Sequence, residues 1–346
     1  MKHDKLNYEW CYISGRVNVL ECQLLSMNFY ERLLSSQNIG NLFANLNNTH
    51  LKKYFTHVKH LYEFEMLLDD YYYDRLYEIR TLAPDTGFCD LFLIKNDVIN
   101  LKNILKASIS DREPDRYLRG TIDKDKLNAV WQVGVKSFPE VLNEAVLYFK
   151  GEMKYLKKAW MPFIIDLIFD SAYLKYIEFV CRDNSADIIR RYLAIYRITR
   201  VIKIIMRVLT LKLAKGPFEK YFLAGLNANN AFRELVSGST QLSEKMLCEM
   251  LVETHCYTSP AEYENIVKIL SAELSKKISY RYDIMTDNYL MDIIRPAKYT
   301  PFGAEKVFGY LCGLTTEFFN LKLVIGGLIR GVENNLLRER LRKTYV

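Results

Sequence analysis

Apolar side chains recur every three or four residues through most of the chain, which is the spacing of one face of an α-helix. Clear stripes lie in residues 17–34, 61–79 and 94–107, and the middle one consists of Leu61, Phe64, Leu68, Tyr72, Leu76 and Ile79. No segment shows the repeated apolar–polar alternation between turns that predicts a sheet. The pattern therefore predicts an all-α protein.

Composition supports this prediction. The 346 residues include 15 Gly and 8 Pro, which is below average usage of about 7% and 5%. Turn-rich β-sandwiches, propellers and folds with Gly-rich nucleotide loops are therefore disfavoured. The net charge of +7 is spread along the chain, whereas nucleic-acid binding calls for a concentrated basic stripe. We therefore expect no nucleic-acid partner.

Several features of the sequence are typical of a cytosolic protein. Its first ten residues are polar and charged, unlike a secretory signal. No uninterrupted apolar run reaches the roughly 18–20 residues of a membrane helix. The seven Cys have no regular spacing, which indicates reduced thiols in a cytosolic compartment. We therefore expect no membrane span.

A pattern of paired helices repeats three times, at intervals of about 100 residues. An Asp opens the first helix of each pair, and the second helix carries an acid, an Asn and a Lys. The repeat positions are Asp70, Asp97, Asn100 and Lys102 in the first copy, Asp170 and Lys203 in the second, and Asp287, Glu317, Asn320 and Lys322 in the third. Ile198 and Val201 replace the acid and Asn of the middle copy. We therefore predict three helical domains, residues 1–118, 119–227 and 228–346.

These repeat positions favour a structural role over a chemical one. An acid and an Asn three residues later share one helix face. An Asn inside an apolar helix needs a hydrogen-bond partner, because an unsatisfied buried amide is costly. We therefore expect Asn100 and Asn320 to be hydrogen-bonded within their own copies.

Two strings could hold a metal. Asp70 and Asp74 lie one helical turn apart, as do the Mg²⁺-binding carboxylates of isoprenoid synthases. The second acidic motif of those enzymes is missing, since Asp283 and Asp287 lack its spacing. The second string has His57 and His60 one turn apart, with His50 and Glu63 nearby, but it lacks the His-Glu-x-x-His pattern of zinc proteases. We predict neither site.

Other motifs give no catalytic residue or cofactor site. Gly326, Gly327 and Gly331 lie in a helical run without the Lys-Ser/Thr of a phosphate loop. They are typical of close helix packing or of a helix end. We therefore expect no ATPase activity of the chain itself.

Several strings, in this order, resemble the C subunit of archaeal and bacterial V/A-type rotary ATPases (ATP synthases), the relative of the d subunit of eukaryotic V-ATPases. They are Tyr12-Ile-Ser-Gly-Arg16-Val17, Tyr30-Glu-Arg-Leu-Leu34, Asp97-x-x-Asn100-Leu101-Lys102, Pro301-Phe-Gly303, Val307-Phe-Gly-Tyr-Leu311, Glu317-x-x-Asn320-Leu321-Lys322 and Arg338-Glu-Arg-Leu-Arg342. The middle copy departs from the family at Ile198 and Val201. The resemblance nevertheless covers both ends and the three-copy plan.

This resemblance implies three helical domains arranged as a pseudo-threefold funnel. It also implies a mechanical coupler, without a reaction of its own, on the cytoplasmic face of the membrane. Its partners would be the shaft subunits of the ATP-hydrolysing head and the subunits of the membrane rotor ring. An alternative is a helical-repeat adaptor that exposes one binding face, although its copies would be longer than the usual 20–45 residues of a solenoid unit.

Overall fold

A computed structural model describes residues 9–36, 38–56, 60, 63–110, 112–114, 117–131, 139–183, 186–210, 260–271 and 280–346. Every regular element within these residues is an α-helix or a short 3₁₀ helix. The prediction of an all-α fold is therefore confirmed. The sequence-defined domains and their funnel arrangement stay predictions.

Fourteen α-helices lie in the described residues. The first seven are α1 (Cys11–Glu21), α2 (Met27–Leu34), α3 (Ile39–Asn47), α4 (Lys52–Phe55), α5 (Phe64–Leu82), α6 (Gly87–Ile109) and α7 (Lys124–Asn128). The others are α8 (Glu140–Glu152), α9 (Met161–Asp183), α10 (Asp187–Thr210), α11 (Pro260–Ser271), α12 (Tyr280–Ile294), α13 (Ala304–Ile329) and α14 (Asn334–Arg340). The 3₁₀ helices are Ala129–Trp131, Met153–Tyr155, Lys158–Trp160 and Arg295–Tyr299.

Local sequence sets several helix ends. The side chain of Asn38 accepts a hydrogen bond from the backbone N–H of Asn41 at 2.8 Å and so caps α3. Helix α13 ends just before Gly331, whose φ of 70° suits a residue without a Cβ. Gly327 lies where α13 packs closely, because an added Cβ would stand 2.3 Å from Leu337 Cδ2. The glycines thus serve close packing and a helix end, as the sequence indicated.

The chain forms two compact units. Unit 1 comprises residues 1–89, 186–192 and 279–346, and unit 2 comprises residues 90–185 and 193–278. Helices α6 and α10 each begin in unit 1 and continue in unit 2. Unit 1 therefore combines segments that lie far apart in the sequence, whereas unit 2 is interrupted only by residues 186–192.

Helix α13 is the core helix of unit 1. It contacts α5, α1 and α2, and Phe318 stacks on Tyr72 with ring centres 4.5 Å apart. Tyr30, Phe308 and Tyr310 are among the largest fully buried side chains. Large aromatic surfaces therefore supply much of the packing in this unit.

Hydropathy also singles out α13. It is the one helix in the described part of the chain with the length and mean hydropathy of a membrane span. Of its most apolar stretch of 18 residues, 56% is buried inside the protein. The sequence of α13 contains no long uninterrupted apolar run, because Glu317, Asn320 and Lys322 lie among its apolar residues. The structure uses α13 as a packed core helix.

Unit 2 is built around α6, α8 and α9. Its fully buried residues include Leu101 on α6, Phe149 on α8, and Ile165 and Phe169 on α9. Helices α8 and α9 share the most extensive contact in this unit. The acid, Asn and Lys of the first copy lie on α6 at the edge of this core.

Candidate functional site

Two polar clusters contain the acids of the first and third copies, one cluster in each unit. The Asp97 cluster of unit 2 joins Asp97 and Asn100 on α6 to residues 118–122. The Glu317 cluster of unit 1 joins Glu317 on α13 to Leu25 and Tyr71. The two acids and the two asparagines of these helices are each at most 3% exposed.

The carboxylate of Asp97 binds the segment that follows α6. It accepts hydrogen bonds from the backbone N–H and the hydroxyl of Thr121 at 2.8 and 2.7 Å. A third bond, at 3.3 Å, comes from the backbone N–H of Ile122. An added Cβ on Gly120 would stand 1.8 Å from Asp97 Oδ1. Glycine is therefore required where this segment crosses the carboxylate.

Burial, together with the smaller effect of the nearby charge of Asp90, raises the pKa of Asp97 from 3.8 to about 6. The bonds from Thr121 and Ile122 act in the opposite direction, because they stabilise the charged form. Desolvation is the largest of these influences. This carboxyl group therefore changes charge close to neutral pH.

The two asparagines make the same pair of bonds. Asn100 donates to the backbone carbonyl of Leu118 at 2.8 Å and accepts from its N–H at 2.9 Å. Asn320 donates to the carbonyl of Arg342 at 2.9 Å and accepts from its N–H at 3.0 Å. Each amide thus satisfies both polar groups of one later backbone residue.

Glu317 binds residues from the other end of the chain. Its Oε2 accepts from the backbone N–H of Leu25 at 2.5 Å, and its Oε1 accepts from the Tyr71 hydroxyl at 2.6 Å. His50 Nε2 lies 3.0 Å from that hydroxyl. Burial, with the charge of Glu317 added, raises the pKa values of Tyr30 and Tyr71 well above their usual range. Both phenols therefore stay protonated beside the carboxylate.

Lys102 and Lys322 pair with acids on other helices. Lys102 Nζ lies 2.6 Å from Asp170 Oδ1 and 3.2 Å from Asp166 Oδ1. Lys322 donates at 2.7 Å to Asp69, which directly precedes the repeat position Asp70. Sequence reasoning did not single out Asp166, although its spacing from Asp170 places both acids on one face of α9.

The three repeat aspartates, Asp70, Asp170 and Asp287, lie inside α5, α9 and α12, so the prediction that an Asp opens each of these helices is wrong. Asp287 Oδ2 accepts from Arg342 Nε at 3.2 Å, beside the Asn320–Arg342 pair. Lys203 lies on α10 and lines a cavity of about 230 Å³ in unit 2, together with residues of α6 and α9. The structure thus brings Asp287 and Asn320 to one residue, Arg342, and places Lys203 and Asp170 on the lining of one cavity.

The described residues hold no group of three or more His, Cys, Asp or Glu that could bind a metal ion. Asp69 pairs with Lys322, and Asp74 accepts from the Tyr54 hydroxyl at 2.8 Å. The backbone N–H of His60 donates to Glu63 at 3.3 Å. His57 lies outside the described residues.

These clusters act as ties between elements. Each charged or amide group meets backbone or side-chain partners from a different segment, and buried polar groups that are fully paired rigidify the surrounding core. The geometry therefore supports a structural role for the repeat positions.

Comparison with protein families identifies the chain. The family model described as ATP synthase (C/AC39) subunit matches residues 13–343. A comparison with curated proteins gives no match. Because the family match spans nearly the whole sequence, the chain belongs to the ATP synthase (C/AC39) subunit family, and the resemblance seen in the sequence is confirmed.

Proposed function

We propose that this member of the family is a non-catalytic central-stalk subunit of a V/A-type rotary ATPase. It couples the shaft of the ATP-hydrolysing head to the membrane rotor ring during proton or sodium transport. The observation that carries the proposal is the family match over residues 13–343. That match favours a rotary role over a free-standing repeat adaptor or an isoprenoid synthase.

The ties between the two ends of the chain support a role in transmitting force. Glu21 and Lys306 form an ion pair at 2.6 Å, and both side chains are at most 6% exposed. The backbone N–H of Leu25 donates to Glu317, which lies 292 residues later in the sequence. The side chain of Asn334 donates to the carbonyl of Leu34, which lies 300 residues earlier. Removing one partner of a buried pair costs about 3–5 kcal/mol. A body whose ends are joined in this way resists unwinding under torque.

The role of α13 supports peripheral attachment. This helix has the hydropathy of a span, but it supplies the buried core of unit 1 and carries the buried, bonded side chains of Lys306, Glu317 and Asn320. Moving it into lipid would expose these polar groups to hydrocarbon at a large cost. We therefore propose that the chain attaches to the cytoplasmic face through shaft and ring subunits.

The test is to strip the chain from membranes that contain the complex and then to add it back. ATP hydrolysis by the head and ion transport are measured at each step. We expect the detached head to continue hydrolysis, transport to stop, and added chain to restore it. Transport at full rate without the chain would overturn the coupling role. Loss of hydrolysis by the isolated head would instead indicate a part in catalysis.

A further inference from the structure

The cavity of unit 2 combines an apolar floor with a basic rim. Its volume is about 230 Å³, and Val98 on α6 with Tyr173 and Leu174 on α9 supply buried apolar walls. The charged groups of its lining are Lys95 on α6, Asp170 on α9, and Arg200 and Lys203 on α10.

The volume fits one bulky side chain. A protein cavity of about 150 Å³ holds a benzene molecule, whereas sites for whole small molecules occupy about 300–1,000 Å³. The cavity of about 230 Å³ lies between these sizes. Its natural occupant is therefore a single aromatic or large aliphatic group with room for a polar neighbour.

The charge of the described lining is positive, with three cations and one carboxylate. The carboxylate of Asp170 already lies 2.6 Å from Lys102 Nζ, outside the lining. The guanidinium of Arg200 lies 4.8 Å from the ring centre of Tyr196, which orients it on the α10 face. A ligand with carboxylates beside its apolar group would complement this rim.

We infer that this cavity docks an acidic segment of a protein partner. One large apolar side chain of the segment enters between α6, α9 and α10, and flanking Asp or Glu residues meet Lys95, Arg200 and Lys203. The inference rests on the proposed function, because that function implies the partner, which is one of the other subunits of the rotary complex. It adds the place and the chemistry of one contact.

Charge reversal tests the contact. The double variant Lys95→Glu/Lys203→Glu is compared with Lys154→Glu/Lys157→Glu, whose exposed lysines lie in the same unit and give the same change in net charge. Binding of each full-length chain to stripped membranes with added heads is measured by sedimentation, and thermal melting checks folding. We expect the cavity variant to bind about tenfold more weakly and the control within about twofold of wild type. Equal binding by both variants would overturn the inference.

Photocrosslinking identifies the occupant without depending on charge reversal. A diazirine lysine analogue at position 95 keeps the positive charge at the exposed mouth of the cavity. Support would be a crosslink to a polypeptide segment that carries Asp or Glu beside a large apolar residue, and its loss when Lys203→Glu is added. A crosslink to lipid only, or to a segment without acidic residues, would overturn the inference.

The two proposals fail separately in these experiments. If wild-type chain does not restore transport, the coupling role is wrong, while the crosslink still decides whether an acidic segment occupies the cavity. If wild-type chain restores transport and the cavity variant binds and restores it equally, the docking inference is wrong and the coupling role stands.

Discussion

Helices α6 and α13 carry the same acid, Asn and Lys pattern, but they share only part of its use. Asn100 and Asn320 each hold both polar groups of one backbone residue, 18 and 22 residues later. Both lysines bind an acid on another helix. The two acids both accept from backbone N–H groups and a hydroxyl, but from different parts of the chain.

The partners of the two acids lie at very different distances along the sequence. Asp97 binds Thr121 and Ile122, only 24 and 25 residues downstream. Glu317, longer by one methylene, binds Tyr71 and Leu25, which lie 246 and 292 residues upstream. One acid therefore closes a local loop, and the other joins the two ends of the chain.

Helix α10 shows what happens without the polar pair. Ile198 and Val201 occupy the positions of the acid and the Asn, and they are 6% and 3% exposed. Burial of this helix face therefore does not require polar groups. Where the pair is present, it selects which segment docks on the helix, because only a segment that satisfies its hydrogen bonds is tolerated there.

Among the variants that test this comparison, Glu317→Leu should lose the most stability. The change leaves the Leu25 N–H and the Tyr71 hydroxyl without their charged acceptor, and two such bonds correspond to about 3–5 kcal/mol of stability. Urea unfolding should show this loss, with Glu317→Gln clearly milder because it keeps an acceptor oxygen. A loss below about 1 kcal/mol for Glu317→Leu would show that the tie contributes little.

The sequence predicted the elements and the asparagines better than the acids. Periodicity identifies helices from local residues alone, and the cost of a buried amide implies a hydrogen-bond partner for Asn100 within its own copy, although not which group it is. The partners of Glu317 depend on how α13 packs against α5 and the α1–α2 connection. That packing joins residues hundreds of positions apart, so no local pattern encodes it.

The same reason applies to the lysines. The sequence placed Lys322 and Asp70 at repeat positions, but the structure pairs Lys322 with Asp69. Adjacent residues on a helix point about 100° apart, so the rotation of α5 about its own axis decides which one faces α13. The cavity beside Lys203 also requires three helices to meet, which spacing along one helix cannot indicate.

The pH dependence of stability tests how strongly the surroundings of Asp97 act on its charge. Burial raises the pKa of Asp97 from 3.8 to about 6, so the folded chain holds this proton where the unfolded chain has lost it. Stability should therefore fall as pH rises from about 4 to about 6, by an amount on the order of 3 kcal/mol. The difference in unfolding free energy between wild type and Asp97→Asn should change by this amount over that range. A constant difference across the titration range of Asp97 would contradict the raised pKa.

Variants of the two asparagines test whether their equivalent hydrogen bonds contribute equally to stability. Asn100→Leu leaves both polar groups of Leu118 unsatisfied, and Asn320→Leu does the same at Arg342. We expect each variant to lose about 1–3 kcal/mol, with the two losses within about 1 kcal/mol of each other. Thermal or urea unfolding of both variants checks this. An unchanged or raised melting temperature for Asn100→Leu would show that its amide is dispensable.

The lysines should give the smallest effects, ordered by burial. Lys102 is 15% exposed and faces two acids of α9, whereas Lys322 is 31% exposed and faces Asp69 alone among the acids within ion-pair distance in the described residues. Lys102→Met removes the ion pair of Asp170 and leaves Asp166 with Lys106 at 2.6 Å, so we expect a loss of about 1–2 kcal/mol, against about 1 kcal/mol or less for Lys322→Met. Lys175→Met is the matched control, because Lys175 and its partner Glu144 are 47% and 53% exposed and their pair should contribute nearly nothing.

Added salt gives a second comparison. It should reduce the difference in unfolding free energy between Lys322→Met and wild type more than the difference between Lys102→Met and wild type, since exposed pairs are screened more strongly. Equal losses for all three variants would show that burial does not set the strength of these ties.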